Sequence, residues 1–196
     1  KTRDVDDFKV VDFEPYRPNW GAPMGFVASP IFDGPRMIGL LALQFPISNF
    51  NRITTGNFNW KAEGLGDTGE CYLVGPDKTM RSRSRFMYEN PKAFVAEMRE
   101  RGLPRAAMDQ IERQGNVLNA MPVQTISVEK ALQGQQGIEI INDYRGVEVL
   151  SAYGNLDLNS LRWALITEID TAEAFRPVRD FGRKALITGV GMALLA

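Results

Sequence analysis

Gly64-Leu-Gly-Asp-Thr-Gly-Glu-Cys-Tyr-Leu-Val-Gly-Pro-Asp77, continued by Lys78-Thr-Met-Arg-Ser-Arg-Ser-Arg-Phe86, carries the signals that decide the fold. Glu70 to Val74 reads as a strand, Gly75 to Lys78 as a turn, and Thr79 to Phe86 as the hairpin partner of that strand. Gly64, Gly66 and Gly69 formally spell G-x-G-x-x-G. In a dinucleotide fold that motif follows a strand and opens a helix, so that phosphate meets the helix N-terminus. Here it precedes a strand and a hairpin turn comes next, so the glycines shape the entry into the strand, with a nucleotide site as the alternative. Arg81, Arg83 and Arg85 alternate, which on a strand puts all three on one face. Such a face either grips a carboxylate or phosphate bidentately or is a solvated surface paired with acidic neighbours.

Upstream, the apolar runs Met24 to Phe32 and Arg36 to Phe45 flank Asp33-Gly34. Asp-Gly between such runs predicts a hairpin, because both central turn positions tolerate positive φ. Pro35 cannot donate to a ladder, which places that end of the strand at an edge. Pro15, Pro18 and Pro23 punctuate an aromatic loop ahead of the hairpin, and residues 46–55 read as a short helix or connector. Downstream, residues 91–101 and 104–115 have helical composition, with Phe94, Val95 and Met98 at helical spacing and Gly102 where a helix ends. A polar connector leads to a short helix over Val128 to Leu132. Strands over Gly137 to Tyr144 and Val147 to Tyr153 flank an Arg145-Gly146 turn, and Leu161 to Ile169 is the last strand. Asp170-Thr-Ala-Glu173 predicts a capping box, Glu173 reaching back to the cap amide. Pro177 predicts a kink in the helix that follows.

The order strand, strand, helices, strand, strand, strand describes an α+β fold, a PAS-like antiparallel sheet with flanking helices. Hydrophobic residues make up 44% and charged residues 24% of the 196, enough for a packed core. A net charge of −1 is the wrong sign for a nucleic-acid partner. There is no histidine and a single cysteine, Cys71. That removes the usual general base, the commonest metal ligand and any intrachain disulfide. No nucleophile–base pair stands out, and neither an enzyme, a cofactor nor a metal is expected. Ala185 to Ala196 is uncharged and would span about 18 Å as a helix, short of the roughly 20 residues a bilayer core needs. With the chain opening on Lys1 and closing inside this run, it reads as a piece of a longer protein whose membrane helix is beginning. The other reading is a docked amphipathic C-terminal helix. Arg179, Arg183 and Lys184 just ahead of the run do not fix its orientation.

The stretch from Gly64 to Asp77, with Met80 to Phe86, resembles the opening of a membrane-proximal Cache (PAS-like) sensor domain. Pro30 to Asp33 and Ile38 to Ile47 resemble the closing strands of the membrane-distal domain in the same double-Cache receptors. Tyr144 to Gly146, Val149 to Tyr153, Trp163, Glu168 to Asp170 and Glu173 to Phe175 are similar to the family's end. The long helix and two strands that normally open the distal domain have no counterpart. The resemblance implies an extracytoplasmic, small-molecule-sensing region of a bacterial inner-membrane receptor, found in chemoreceptors, sensor histidine kinases and adenylate or guanylate cyclases. It also implies a signal passed through the C-terminal helix into the membrane, and such sensing requires a homodimer or at least a membrane partner helix, because one isolated helix has little to move against. The boundaries it suggests are 1–57 for the end of the distal unit, 58–170 for the proximal unit, 171–184 for a juxtamembrane helix and 185–196 for the start of a membrane helix. A ligand-free structural or dimerisation ectodomain is the alternative.

The candidate ligand-binding residues are Tyr16, Trp20, Tyr72, Arg81, Arg83 and Tyr153. Tyr16 and Trp20 either anchor a ligand or cap the hairpin core, and Tyr72 and Tyr153 are mid-strand aromatics that suit core or contact. Glu168 and Asp170 are close in sequence, but Asp170 is explained as a helix cap and Asp77 as a turn residue.

Overall fold

The computed structural model describes residues 8–158 and 161–193. Two antiparallel sheets form, in the orders β1-β2-β3 and β4-β7-β6-β5. The first comprises β1 (Lys9–Pro15), β2 (Pro23–Asp33) and β3 (Arg36–Phe45), followed by helix α1 (Ile47–Thr54). The second comprises β4 (Glu70–Val74), β5 (Gly137–Asn142), β6 (Glu148–Leu158) and β7 (Leu161–Asp170). Between β4 and β5 come α2 (Arg85–Glu89), α3 (Pro91–Glu100), α4 (Arg105–Gln114) and α5 (Ile126–Leu132), and the described chain closes with α6 (Thr171–Ala174) and α7 (Arg176–Ala193).

The hairpin expected around Asp33-Gly34 forms, with Asp33 opposite Arg36 and Gly34 at φ +53° in the two-residue loop. Strand β3 lies at the sheet edge. Met37, Ile38, Leu40, Leu41 and Leu43 on it are all exposed. Because successive strand residues point to opposite faces, apolar side chains emerge on both sides of this hairpin.

Alternation along β7 organises the second sheet. Ala164, Ile166 and Glu168 face α2–α5, and Leu161 and Trp163 face the other way. The helix-side core joins Tyr72, Val74, Tyr153 and Ile166 to Phe94, Ile111, Val128 and five methionines, 80, 87, 98, 108 and 121. On the opposite face Trp163 is fully buried, stacked on Phe13 at 5.8 Å and edge-on to Phe50 at 5.3 Å. Burying one such indole removes about 200 Å² from water, worth roughly 5 kcal/mol before entropy. This aromatic cluster, with the Arg81–Asp12 ion pair at 3.0 Å, fastens β1 and α1 to the second sheet.

Three expectations are corrected. Residues 79–86 do not form a strand: Met80 makes an isolated bridge to Val74, and α2 opens at Arg85. Serines divert the chain, since Ser82 Oγ accepts the Leu73 amide at 2.9 Å and Ser84 Oγ accepts the Met87 amide as an N-cap. Consequently Arg81, Arg83 and Arg85 share no face. The capping box at Asp170 does not close either, because Glu173 turns to the glycine-rich loop and the Asp170 carboxylate to Arg145. A further strand, β1, which has no signal in the sequence, stands ahead of the aromatic loop and takes in its first residues, Glu14 and Pro15. The helix is interrupted at Phe175, two residues ahead of Pro177. No helix among the described residues is long and apolar enough to cross a membrane, and residues 194–196 of the predicted membrane segment lie outside the described residues.

Candidate functional site

Glu70 and Glu168 are direct partners across β4 and β7, and both point into the helix-covered layer. Each carboxylate oxygen has a donor. Tyr144 Oη donates to Glu70 Oε1 at 2.5 Å, and the Arg85 amide donates to Oε2 at 3.0 Å. Ser151 Oγ donates to Glu168 Oε1 at 2.9 Å, and Tyr72 Oη to Oε2 at 2.8 Å. Four donors do not offset the desolvation of two facing carboxylates. Burial pushes both up to about 7, against an ordinary value of 4.5. Tyr72 and Tyr144 are held well above the usual phenol range, by burial first and the glutamates second.

This polar interior reaches the C-terminal helix in one residue. Next to Tyr144, Arg145 donates through Nε to Asp143 at 2.7 Å and through a terminal nitrogen to Asp170 at 2.7 Å. Its guanidinium lies 3.7 Å over the Phe86 ring. Asp170 is the residue immediately before α6. The root of α6 is held a second time by the glycine-rich loop. Glu173 Oε1 accepts the Asp67 amide at 2.8 Å, and Oε2 accepts the Thr68 amide at 2.7 Å and the Thr68 hydroxyl at 2.6 Å. These donors hold the Glu173 carboxyl below its ordinary value. Gly66 sits at φ +59°, and a Cβ there would meet the Glu173 carboxylate, so the position requires glycine. Arg85 braces the same loop by donating to the Gly66 and Gly69 carbonyls at 3.1 and 2.7 Å. The motif that spells a phosphate cradle holds a carboxylate of its own chain.

Two clefts flank this system. One of about 490 Å³ lies between α2, α3 and α4, and a separate small recess at Ser84 shares Met87 and Gly115 with it. The other, about 350 Å³, runs from Arg101 and Leu103 to Gln124, Asn142 and Tyr144. Ser84 Oγ and Tyr144 Oη are hydrogen-bonded at 2.9 Å, so the Ser84 recess and the second cleft both border the chain Ser84–Tyr144–Glu70.

The six residues singled out in the sequence lie in separate places. Tyr72 and Tyr153 share a row across the sheet, each opposite Ile166. Tyr72 is enclosed, and Tyr153 Oη donates to Glu139 at 2.7 Å. Arg81 is buried with every guanidinium nitrogen engaged, Nε on Asp12 and the terminal nitrogens on Thr79 and Asp77. Arg83 is exposed over the rings of Phe58 and Tyr88, at 5.7 and 5.8 Å, and borders the Ser84 recess. Tyr16 packs edge-on against Phe26 at 5.1 Å. Trp20 is 99% exposed and covers no core. Sequence reading passed over Glu70, Ser84, Tyr144 and Arg145. The available signal was period two: in Glu-Cys-Tyr-Leu-Val it puts Glu70 on the buried face with Tyr72 and Val74.

No protein-family model matches the chain, and no curated protein matches it. Among solved structures it is similar to the periplasmic sensory domain of the Campylobacter jejuni chemoreceptor Tlp1, with 14% identity, 90% of this chain and 54% of that chain covered, and a TM-score of 0.48. It is similar to the ligand-binding domain of the Pseudomonas aeruginosa amino-acid chemoreceptor PctC in complex with GABA, at 13% identity, 85% and 57% coverage and a TM-score of 0.48. It is also similar to the ligand-binding domain of the Pseudomonas fluorescens chemoreceptor CtaA in complex with L-alanine, at 10% identity, 87% and 57% coverage and a TM-score of 0.47. The chain thus spans a little over half the length of these structures.

Proposed function

We propose that this chain is an extracytoplasmic sensing region of a bacterial membrane receptor, which takes a small molecule and passes the change through α6 and α7. The observation that carries this reading is the hydrogen-bonded chain Ser84–Tyr144–Glu70, joined through the Tyr144–Arg145 peptide to the Arg145–Asp170 ion pair. It begins at the Ser84 recess and the Tyr144 cleft and ends at the root of the C-terminal helix. A sensor needs a ligand that favours one of two states, and an element whose docking differs between them. Helix α6 meets the second requirement, since it is held by a few directed bonds and α7 beyond it is exposed over residues 176–185. The resemblance of the glycine-rich opening to Cache domains agrees with this reading. In the same proposal residues 1–57 belong to a membrane-distal unit and 58–170 to a proximal one, the C-terminal helix leads to the inner membrane, and the receptor works as a homodimer. The fragment itself carries no catalytic role; any enzyme lies in an attached output domain.

The exposed apolar hairpin β2–β3 favours a second reading, a ligand-free ectodomain that serves assembly. A thermal-shift screen of the purified chain against amino acids, organic acids, polyamines and nucleotides separates the two. A ligand at a hundred times its Kd adds about 2.7 kcal/mol, a visible rise in Tm. A raised Tm with altered hydrogen exchange over residues 171–176 is expected. A cooperatively folded chain that no compound shifts, in a receptor that signals normally without residues 60–170, overturns the sensing reading.

A further inference from the structure

The larger cleft has a chemistry of its own. Its floor is Met87 of α2 with Pro91, Val95 and Ala96 of α3. Positions 92, 95, 96 and 99 follow the i, i+3, i+4, i+7 spacing of one helix face, so α3 presents an apolar strip with a cation at either end, about 10.5 Å apart. The two cations differ. Arg99 is neutralised by Glu112 at 2.6 Å, whereas the exposed Lys92 has no hydrogen-bond or ion-pair partner among the described residues. Arg83, in the adjoining recess that shares Met87 with the groove, also lacks a carboxylate partner among them. A volume of about 490 Å³ is that of a small-molecule site.

We infer that this groove binds an organic monocarboxylate with an apolar body, its carboxylate at Lys92 and its hydrocarbon over Met87, Val95 and Ala96. Charge complementarity selects the acid over an amine or an alcohol of equal length, and the neutral Arg99–Glu112 pair closes the far end. The inference rests on the sensing reading for its consequence alone. Met87 donates its amide to Ser84 Oγ, which is bonded to Tyr144, so an occupant bears on the connection to α6.

The probe is octanoate below its micellar concentration, followed by NMR of the purified chain labelled at the methionine methyls. The Met87 signal is expected to shift saturably, while octylamine leaves it in place and octanol binds at least tenfold more weakly. Lys92→Glu, at an exposed site, should weaken octanoate at least tenfold, and Ala96→Trp should fill the groove and abolish the shift. Equal shifts from octanol or octylamine, unchanged binding to Lys92→Glu, or a response centred on the enclosed Met80 and Met121 would each overturn the inference. Hydrogen exchange over 171–176 separates it from the sensing reading. Saturable binding at Met87 without change there keeps the site and removes its signalling consequence. A response there to another compound, with Met87 unmoved by octanoate, removes the site alone.

Discussion

Raising the pH from 5 to 7.5 should destabilise this protein through Glu70 and Glu168. The chain has no histidine, so few side chains other than these titrate in that interval. Both glutamates are pushed by burial from 4.5 up to about 7. An acid whose folded value is raised contributes stability fully below its unfolded value, and that contribution is lost as pH rises through the folded value. The window is therefore 4.5 to about 7, and the loss is roughly 3 kcal/mol for each carboxylate. Because the two face each other, they ionise in two steps that belong to the pair. Asp67, lowered by its hydrogen bond to Lys61, and Glu173, lowered by the Asp67 and Thr68 donors, act oppositely, losing stability as pH falls below the ordinary carboxylate range. Urea unfolding at pH 5, 6, 7 and 8 and constant ionic strength gives the test. Stability should fall across this series, by about 1.4 kcal/mol per pH unit where one carboxylate titrates. Glu168→Gln should reduce the slope and Glu70→Gln/Glu168→Gln should remove most of it, leaving what Asp143, which burial also raises, contributes. Stability that is flat or rises between pH 5 and 7.5, or a double variant that keeps the slope, refutes the reasoning.

Arg145→Ala leaves Asp143 and Asp170 without their cation and should cost about 3–5 kcal/mol in urea unfolding, with hydrogen exchange over 171–176 rising more than in the sheet. A loss below about 1 kcal/mol would mean that the clamp holds nothing. Phe13→Ala, which strips the stacked partner from Trp163, should cost about 3–5 kcal/mol and shift tryptophan emission to the red; unchanged emission would sink it. Trp20→Ser should stay within about 0.5 kcal/mol of the parent, checked by thermal unfolding, since the indole touches no core.

The fold was legible wherever period and turn chemistry acted together. Asp33-Gly34, Arg145-Gly146 and the Leu161–Asp170 alternation each state their structure locally. Residues 79–86 were not, because the serine hydroxyls that take up backbone amides there look the same in sequence as outward-facing strand residues. Strand β1 was hidden for a different reason: its one deeply buried residue, Phe13, is fixed by Trp163, 150 residues on. The polar interior is intermediate. Its glutamates follow from alternation, but that Tyr144 and Ser84 meet Glu70 is a product of tertiary approach. The capping box failed because a better donor set, the Asp67 and Thr68 amides, lies more than 100 residues away.

The Glu173 cradle also has a mechanical consequence. Thr68 and Glu173 stand 105 residues apart in the chain and 2.6 Å apart in space, so the polypeptide enters and leaves the second sheet at one corner. Contacts of such separation close a long loop, whose entropy is spent before the contact rewards it, so they are slow to form. The corner is a shared anchorage: the glycine-rich loop and the helical turn that carries Glu173 are tied by the same three hydrogen bonds, so loss of the Glu173 carboxylate would release both at once.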